Sequence, residues 1–139
     1  MVYIIATLLR KAYEQCHAGW RELMLLPADY DDAALLHPLT RSIIQKIDFR
    51  YGGPEYDAKY PDGIPTSLEL YHARLGRFSS GLVMYPAGHA RCDAIDWQPI
   101  LAEKFRRLAK LGGADAQAVE TRLANLGSKT VDEVRGLYW

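Results

Sequence analysis

The chain opens with an unbroken apolar run. Residues 2–9 carry no charge, and the first charged side chain after them is Arg10. The run is far shorter than the roughly 20 residues that a membrane span requires. It therefore predicts a helix over residues 2–15 that is buried nearly all round, and such a helix implies that something packs on it.

Three shorter segments follow before the pattern changes. Proline positions and local composition define them, since proline ends a helix at its interior positions but is tolerated in the first turn. In chain order we expect a short helix over Trp20–Leu26 ended by Pro27, an exposed connection over Ala28–Leu36, and a helix opened by Pro38 that continues to Gln45.

Alternation of apolar and polar residues then replaces the helical pattern, which is typical of half-buried strands. The segments predicted here are a strand over Lys46–Tyr51, a structured loop over residues 54–65, a strand over Thr66–His72, a turn over Ala73–Gly76 and a strand over Arg77–Tyr85. Because a short glycine-containing turn links the last two strands, they are expected to form an antiparallel hairpin.

The last third of the chain returns to helical spacing. It is predicted to hold a loop over Pro86–Arg91, a helix ended by Gly112-Gly113, a helix over Asp115–Leu126, and a capping box at Thr130–Glu133 that opens a last helix through Tyr138. This order of elements predicts an α+β fold. We expect one domain over residues 1–139, a two-layer sandwich in which helices pack on one face of a small antiparallel sheet of three to four strands.

Charge excludes several classes of partner. The 17 basic residues balance the 17 acidic ones, so neither a nucleic-acid footprint nor a membrane-surface patch is indicated. Two cysteines in 139 residues are too few for a disulfide scaffold. A reduced, cytoplasmic setting is therefore expected.

The sequence disfavours two kinds of reactive centre. Cys16-His17 and His89-x-x-Cys92 together hold four potential zinc ligands, two cysteines and two histidines, but their spacing matches no ordinary zinc pattern. A Cys92 nucleophile with a His89 base would need an orienting group and an oxyanion hole, and the sequence indicates neither. No metal site is expected.

The segment Gly88–Arg91 is the best local candidate for binding. Glycine allows a close backbone approach, and the His89 and Arg91 side chains can engage a carboxylate, with arginine binding in a bidentate manner. An ordinary strand-to-helix connection, whose polar residues only interact with solvent, is the equally weighted alternative.

Several motifs, taken in order, resemble the MmgE/PrpD family of 2-methylcitrate dehydratase-like proteins over residues 1–111. They are Met1–Leu9 as a helix, His37-Pro38 followed by the strand Lys46–Phe49, Ser67–Leu70 with the turn at Leu75-Gly76, the loop Tyr85–Arg91, and the helix segment Glu103–Arg106. The turn departs mildly from the family's usual Asp-Gly.

The resemblance implies that this chain corresponds to the smaller α+β domain of a two-domain, homodimeric enzyme whose active site lies between the domains. It implies no metal or organic cofactor. By the same resemblance Tyr3, His89 and Arg91 line the cleft, where a tyrosine hydroxyl can bond or relay a proton and an arginine neutralises a carboxylate. The catalytic acid–base pair is not assigned.

The leading hypothesis is therefore the smaller domain of a hydro-lyase acting on a citrate-like tricarboxylic acid, inactive without a helical partner domain. It predicts a large exposed apolar patch. The alternative is a stand-alone non-catalytic α+β module that binds a small anion or self-associates, and whatever covers Val2, Ile5 and Leu9 distinguishes the two. A complete small enzyme built on His89, Arg91 and Asp93 is a weaker third hypothesis.

Overall fold

The computed structural model describes residues 1–87 and 89–137. They divide into two compact units, Met1–Trp97 and Gln98–Trp139. The first unit holds the helices α1 (Val2–Gln15), α2 (Trp20–Leu23), α3 (Asp32–Leu35), α4 (Pro38–Ile44) and α5 (Gly53–Lys59), a 3-10 helix at Pro27–Tyr30, and the strands β1 (Glu69–His72) and β2 (Gly76–Ser79). The second holds α6 (Gln98–Leu111), α7 (Ala116–Leu123), a 3-10 helix at Leu126–Ser128 and α8 (Val131–Arg135).

Helix α1 confirms the predicted helix over residues 2–15 and packs on α4 and α2. Its expected burial is wrong, because only Ala6 and Thr7 are fully buried and the other residues of the apolar run are half-buried. Thr40 of α4 is the third buried residue of this helical region. The side chains that are fully buried here are therefore small, and the larger apolar ones keep part of their surface in solvent.

A cluster of polar contacts fastens the segment after α2 to α1. The Lys11 ammonium lies 2.9 and 3.0 Å from the two carboxylate oxygens of Asp29 and 3.2 Å from the carbonyl oxygen of Met24. The Asp29 carboxylate also accepts a hydrogen bond from the backbone N–H of Leu26 at 2.8 Å. Since both charged side chains are 14% exposed, this ion pair is poorly screened and holds the 3-10 helix against α1.

The region from residue 20 to residue 45 agrees with prediction in part. The second helix ends at Leu23 rather than Leu26, and α4 confirms the helix opened by Pro38. The segment expected to be an exposed connection contains the first 3-10 helix and α3. The Asp31 carboxylate explains α3, because it accepts a hydrogen bond from the Ala34 N–H at 2.8 Å and so caps the helix.

The strand predicted over Lys46–Tyr51 is wrong. The backbone N–H groups of Lys46 and Ile47 bond back to the carbonyls of Ile43 and Ile44, at 2.9 and 3.2 Å, and so extend the last turn of α4. The alternating side chains after them meet no partner strand among the described residues, and Phe49 is 57% exposed. Alternation alone therefore does not produce a strand here, since a strand requires a neighbour for its hydrogen bonds.

The structured loop expected over residues 54–65 is also wrong in its first half, which forms α5. Pro54 lies in the first turn of this helix, where its missing N–H costs nothing and its fixed φ favours the helix. An ion pair between Glu55 and Lys59, 2.6 Å apart and one turn separated, adds support on the surface.

The predicted hairpin is confirmed, with β1 and β2 antiparallel and Leu70 paired with Phe78. An isolated bridge joins Thr66 to Val83 beyond the ladder. The described sheet has two strands, so the expected sheet of three to four strands in a two-layer sandwich is wrong. The α+β class itself is compatible with the structure, since the described chain contains several helices and one small antiparallel sheet.

The two faces of the hairpin differ in chemistry. Glu69, Tyr71 and Arg77 lie on one face, where the Glu69 carboxylate accepts hydrogen bonds from the other two side chains. The bond from Arg77, followed by that from Tyr71, holds the pKa of Glu69 below its ordinary value. The opposite face, which we call the apolar hairpin face, consists of Leu68, Leu70 and Phe78, with exposed fractions of 46, 37 and 50%.

In the second unit, α6 ends at Leu111, directly before the predicted glycines. Helix α7 begins at Ala116, and the carboxylate of its N-cap residue Asp115 accepts hydrogen bonds from two backbone N–H groups. The helix ends at Leu123 rather than at the predicted Leu126. The predicted capping box at Thr130 and Glu133 is confirmed. The helix it opens ends at Arg135; Tyr138, its predicted end, and Gly88 of the candidate loop lie outside the described residues. Within the described part of the chain, the search for a helix capable of crossing a membrane finds none.

Two buried threonines generate a stability prediction. The hydroxyls of Thr7 and Thr40 have no hydrogen-bond partner among the described residues, although both side chains are fully buried. Valine has nearly the same shape and carries no polar group that loses water on folding. We expect Thr7→Val and Thr40→Val each to raise the free energy of unfolding by about 1 kcal/mol, measured by urea denaturation.

Thr66→Val is the matched control, because that hydroxyl is exposed and donates to the Ile64 carbonyl at 3.3 Å. Its effect should stay within about 0.5 kcal/mol. A loss of stability in both buried variants would contradict the unsatisfied state of the two hydroxyls.

The capping box predicts a dependence on pH. The Glu133 carboxylate accepts from the backbone N–H of Thr130 at 2.6 Å and from its hydroxyl at 2.8 Å, and these bonds lower the pKa of Glu133 from its ordinary 4.5. A lowered pKa stabilises the folded state above the ordinary value, and this contribution disappears as pH falls through the lowered value. A carboxyl carbon titration by NMR should therefore place the Glu133 midpoint below 4.5.

In Thr130→Val the hydroxyl is removed and the backbone donor stays. The Glu133 midpoint should then rise only part of the way to the ordinary value, because the backbone bond is the larger cause. A wild-type midpoint at the ordinary value would contradict the charge-assisted cap.

Candidate functional site

The base of the hairpin positions the candidate loop. Thr66 and Val83 exchange two backbone hydrogen bonds, of 3.0 and 2.9 Å, which bring the segment after α5 alongside the chain that leads to Tyr85. Gly63 is buried against Met84: a Cβ at Gly63 would lie 2.7 Å from the Met84 Cε and 3.1 Å from its carbonyl oxygen. The two segments therefore lie closer than a side chain at position 63 would allow.

Arg91 is held by two acceptors across this contact. Its Nη1 donates to the carbonyl oxygen of Asp62 at 3.2 Å and to the hydroxyl oxygen of Tyr85 at 3.3 Å. The hydrogen bond to Tyr85, followed by the charge interactions with Tyr85 and Asp62, raises the pKa of Arg91 above its ordinary value. The exposed guanidinium thus remains cationic and is fixed in orientation at one of its nitrogens.

His89 stacks on the same tyrosine. The ring centroids of His89 and Tyr85 are 4.8 Å apart, with an angle of 19° between the planes. The His89 Nδ1 accepts a hydrogen bond from the backbone N–H of Arg91 at 3.1 Å. A neutral imidazole that accepts at Nδ1 carries its proton on Nε2, so His89 presents Nε2–H as a donor.

The Tyr85–Arg91 cluster, consisting of Tyr85, His89 and Arg91, can therefore bind an anion. It presents a fixed guanidinium and an imidazole N–H, and both charged and polar ends are exposed. Within the described chain no hydrogen bond joins the Cys92 thiol to the His89 ring, so the pairing that a cysteine nucleophile requires is not formed. The chemistry that the cluster offers is recognition of negative charge.

Tyr3, the third predicted site residue, lies elsewhere in the contact network. Its hydroxyl donates to the carbonyl oxygen of Asp29, and its ring lies 5.9 Å from that of Tyr30. No hydrogen bond, ion pair or ring contact joins Tyr3 to His89 or Arg91 among residues 1–87 and 89–137. The structure thus brings two of the three predicted residues together, and Tyr3 is engaged in fastening the 3-10 helix to α1.

The residues weighed as zinc ligands do not converge into a site. Cys16 is exposed at the end of α1, in the left-handed region with φ of 51°, and His17 lies 3.5 Å from the Glu22 carboxylate. The described residues contain no group of three or more His, Cys, Asp or Glu side chains placed to hold a metal ion.

The second unit carries an open apolar groove of about 330 Å³ between α6 and α7. Its lining residues are Leu101, Ala102, Phe105, Glu120, Leu123 and Ala124. Glu120 lies 3.5 Å from Arg106, and none of the other lining side chains carries a polar atom. The groove therefore offers mainly apolar surface for packing, and Glu120 is the ionisable residue among those that line it.

Sequence reasoning missed Asp62 and the Lys11–Asp29 ion pair. Asp62 acts through its backbone carbonyl, which every residue possesses, so no sequence signal marks it. The ion pair joins residues 18 positions apart, and only the course of the chain between them brings them together.

No protein-family model, curated protein or solved structure matches this chain. The resemblance of its motifs to the MmgE/PrpD family therefore stays a prediction. The roles that this resemblance implies for Tyr3, His89 and Arg91 are therefore to be tested by experiment.

The contacts of Tyr3 lead to a further prediction. Tyr3→Phe removes the donor to the Asp29 carbonyl and keeps the ring contact with Tyr30. We expect the free energy of unfolding to fall by about 1 kcal/mol, the usual net value of one hydrogen bond. Tyr13→Phe on the same helix is the control, since Tyr13 is 74% exposed and should change stability little. Equal stability of both variants would show that the Tyr3 hydroxyl is not engaged by Asp29.

Proposed function

We propose that this chain is the smaller α+β domain of an MmgE/PrpD-type hydro-lyase acting on a citrate-like tricarboxylic acid. It supplies one wall of the cleft and is inactive without a helical partner domain, carried on the same or a separate chain. The active protein is a cytoplasmic homo-oligomer. The free state of Cys16 and Cys92 is consistent with a reducing compartment.

The observation that carries this proposal is the one-sided Tyr85–Arg91 cluster. Arg91 is fixed by Tyr85 and the Asp62 carbonyl, and its side chain is exposed to solvent. An anion bound there would be covered on one side only. A partner surface that closes over it would exclude water and so strengthen every charge interaction in the site.

The apolar hairpin face supports the docking part of the proposal. A two-stranded hairpin is marginally stable alone and needs a further strand or a packed helix. Leu68, Leu70 and Phe78 are the side chains that such a layer would cover, and their exposure supports the proposal, which expects exposed apolar surface on a separated domain.

In the proposed enzyme, substrate binding and acid–base chemistry are divided between this chain and the helical partner domain. Elimination of water next to a carboxylate requires a base for the α-proton and an acid for the leaving hydroxyl. Arg91 can serve as neither the base nor the acid, because an arginine side chain keeps its proton near neutral pH. In the proposed enzyme Arg91 neutralises a substrate carboxylate, and the helical domain supplies the acid–base pair.

Complementation tests this function. The purified full chain is assayed with 2-methylcitrate, alone and mixed with the helical domain of an MmgE/PrpD enzyme, and the unsaturated product is followed by ultraviolet absorbance. We expect co-elution of the two proteins and product formation in the mixture only. Arg91→Gln should lower the rate of the mixture at least tenfold, and Arg74→Gln, in the hairpin turn, should leave it unchanged.

Turnover by the chain alone would contradict the proposal, because a complete active centre would then lie within these residues. Failure of the two proteins to form a complex would contradict the proposed docking. A complex that forms but gives no product would contradict the shared catalysis.

A second candidate is the stand-alone module that self-associates. The observation in its favour is that α1 already packs on α4 and α2, so Val2, Ile5 and Leu9 are half-buried without any partner. This candidate predicts a monodisperse oligomer in sedimentation that buries the apolar hairpin face and binds no helical domain.

A further inference from the structure

We propose that Tyr85 is a positioning residue which, with the Asp62 carbonyl, turns the Nε–Nη2 edge of Arg91 outward as a bidentate clamp for one carboxylate group. This inference rests on the proposed function, since it assigns a binding mode to one carboxylate of that substrate. It adds a residue, Tyr85, and a set of donor atoms to the site.

The Arg91 guanidinium bonds to protein acceptors through one of its nitrogens. Both hydrogen bonds of the Arg91 guanidinium go from Nη1, one to the Asp62 carbonyl and one to the Tyr85 hydroxyl. Within the described residues neither Nε nor Nη2 donates a hydrogen bond to the protein. These two nitrogens form one edge of the planar guanidinium, with parallel N–H groups whose spacing matches the two oxygens of a carboxylate.

The Arg91 side chain is partly ordered before any ligand binds. A free arginine side chain loses considerable rotamer entropy when it binds a ligand. Two bonds at Nη1 remove much of this freedom before the ligand arrives, so more of the interaction is retained as affinity. The guanidinium carbon lies 5.9 Å from the centroid of the Tyr85 ring, at the outer limit of a cation–π contact. The hydroxyl is therefore the part of Tyr85 that fixes Arg91.

His89 supplies a second hydrogen-bond donor beside Arg91. His89 stacks on Tyr85 and is held in the Nε2–H tautomer by the Arg91 backbone N–H. The same tyrosine thus touches both groups that can donate to an anion. A hydroxyl that holds Arg91 and a ring that supports His89 are separable roles, and they can be tested with different substitutions.

The test measures binding to the full chain alone and requires no turnover. The probe is propane-1,2,3-tricarboxylate, which has the three carboxylates of a citrate-like acid and no hydroxyl to eliminate. It is titrated into the labelled chain while the Arg91 Nε–H and the His89 ring nitrogens are followed by NMR. We expect both sets of resonances to shift together and to give one dissociation constant.

Three variants separate positioning from charge and from folding. Tyr85→Phe keeps the stack on His89 and removes the hydroxyl, and it should weaken binding about fivefold while the His89 nitrogen shifts still report the Nε2–H tautomer. Arg91→Lys keeps the charge and loses the bidentate edge, with a similar weakening expected. Tyr71→Phe is the matched control, since Tyr71 is an exposed tyrosine bonded to Glu69 on the hairpin, and it should bind as the wild type does.

Wild-type affinity in Tyr85→Phe or in Arg91→Lys would overturn the proposal, as would a titration that leaves the Arg91 Nε–H unshifted. Inorganic phosphate is the second arm, and equal affinity with the same shifts would overturn the assignment to a carboxylate. This test and the complementation assay can fail independently. Complementation without a shift of the Arg91 Nε–H would contradict the bidentate binding mode and leave the hydro-lyase proposal standing. A shift without complementation would contradict the hydro-lyase proposal and leave the anion site standing.

Discussion

The close contact between Gly63 and Met84 is the constraint on which the candidate site depends. It allows the backbone after α5 to lie directly against the segment that leads to Tyr85, and so brings the Asp62 carbonyl within reach of Arg91. A larger residue at position 63 would have to displace a backbone carbonyl as well as a flexible methionine. The orientation of an exposed arginine thus depends on a buried glycine that is the sequence neighbour of the residue whose carbonyl accepts the arginine's hydrogen bond.

The helical part of the first unit is held together in a different way. Its fully buried side chains are small, namely Ala6, Thr7 and Thr40, and small side chains remove little apolar area from water. Specific polar contacts therefore matter more than usual, above all the Lys11–Asp29 pair and the Tyr3 hydroxyl, which together fasten the 3-10 helix to α1. Larger apolar side chains remain at the surface, where a partner could use them.

The sequence predicted the elements whose determinants are local. The hairpin followed from alternation on both sides of a glycine-containing turn, and the last helix followed from the capping box at Thr130. It failed over residues 46–51, which alternate as a strand does but have no neighbouring strand among the described residues. It also failed in the proline-rich segment after Gly52, where the composition favours a loop but Pro54 lies in the first turn of a helix.

In the candidate site, the residue types were predictable from the sequence and the contacts of backbone atoms were not. His89 and Arg91 were predicted from residue type and from their place between strand and helix. The tautomer of His89, the carbonyl of Asp62 and the engagement of Tyr3 with Asp29 depend on backbone atoms, which carry no signature in the sequence. Residue types thus indicated what the site can recognise, and only the course of the backbone decides which atoms do so.

The hairpin also affects how readily this chain aggregates when no partner is bound. Each of its two strands has an outer edge with no ladder partner in the described chain, and such edges can template the addition of strands from other molecules. Glu69 and Arg77 interrupt the apolar sequence of the two strands, and charged side chains of this kind disfavour edge-to-edge growth. The same ion pair that stabilises the polar face therefore also protects the chain against aggregation while the apolar hairpin face is uncovered.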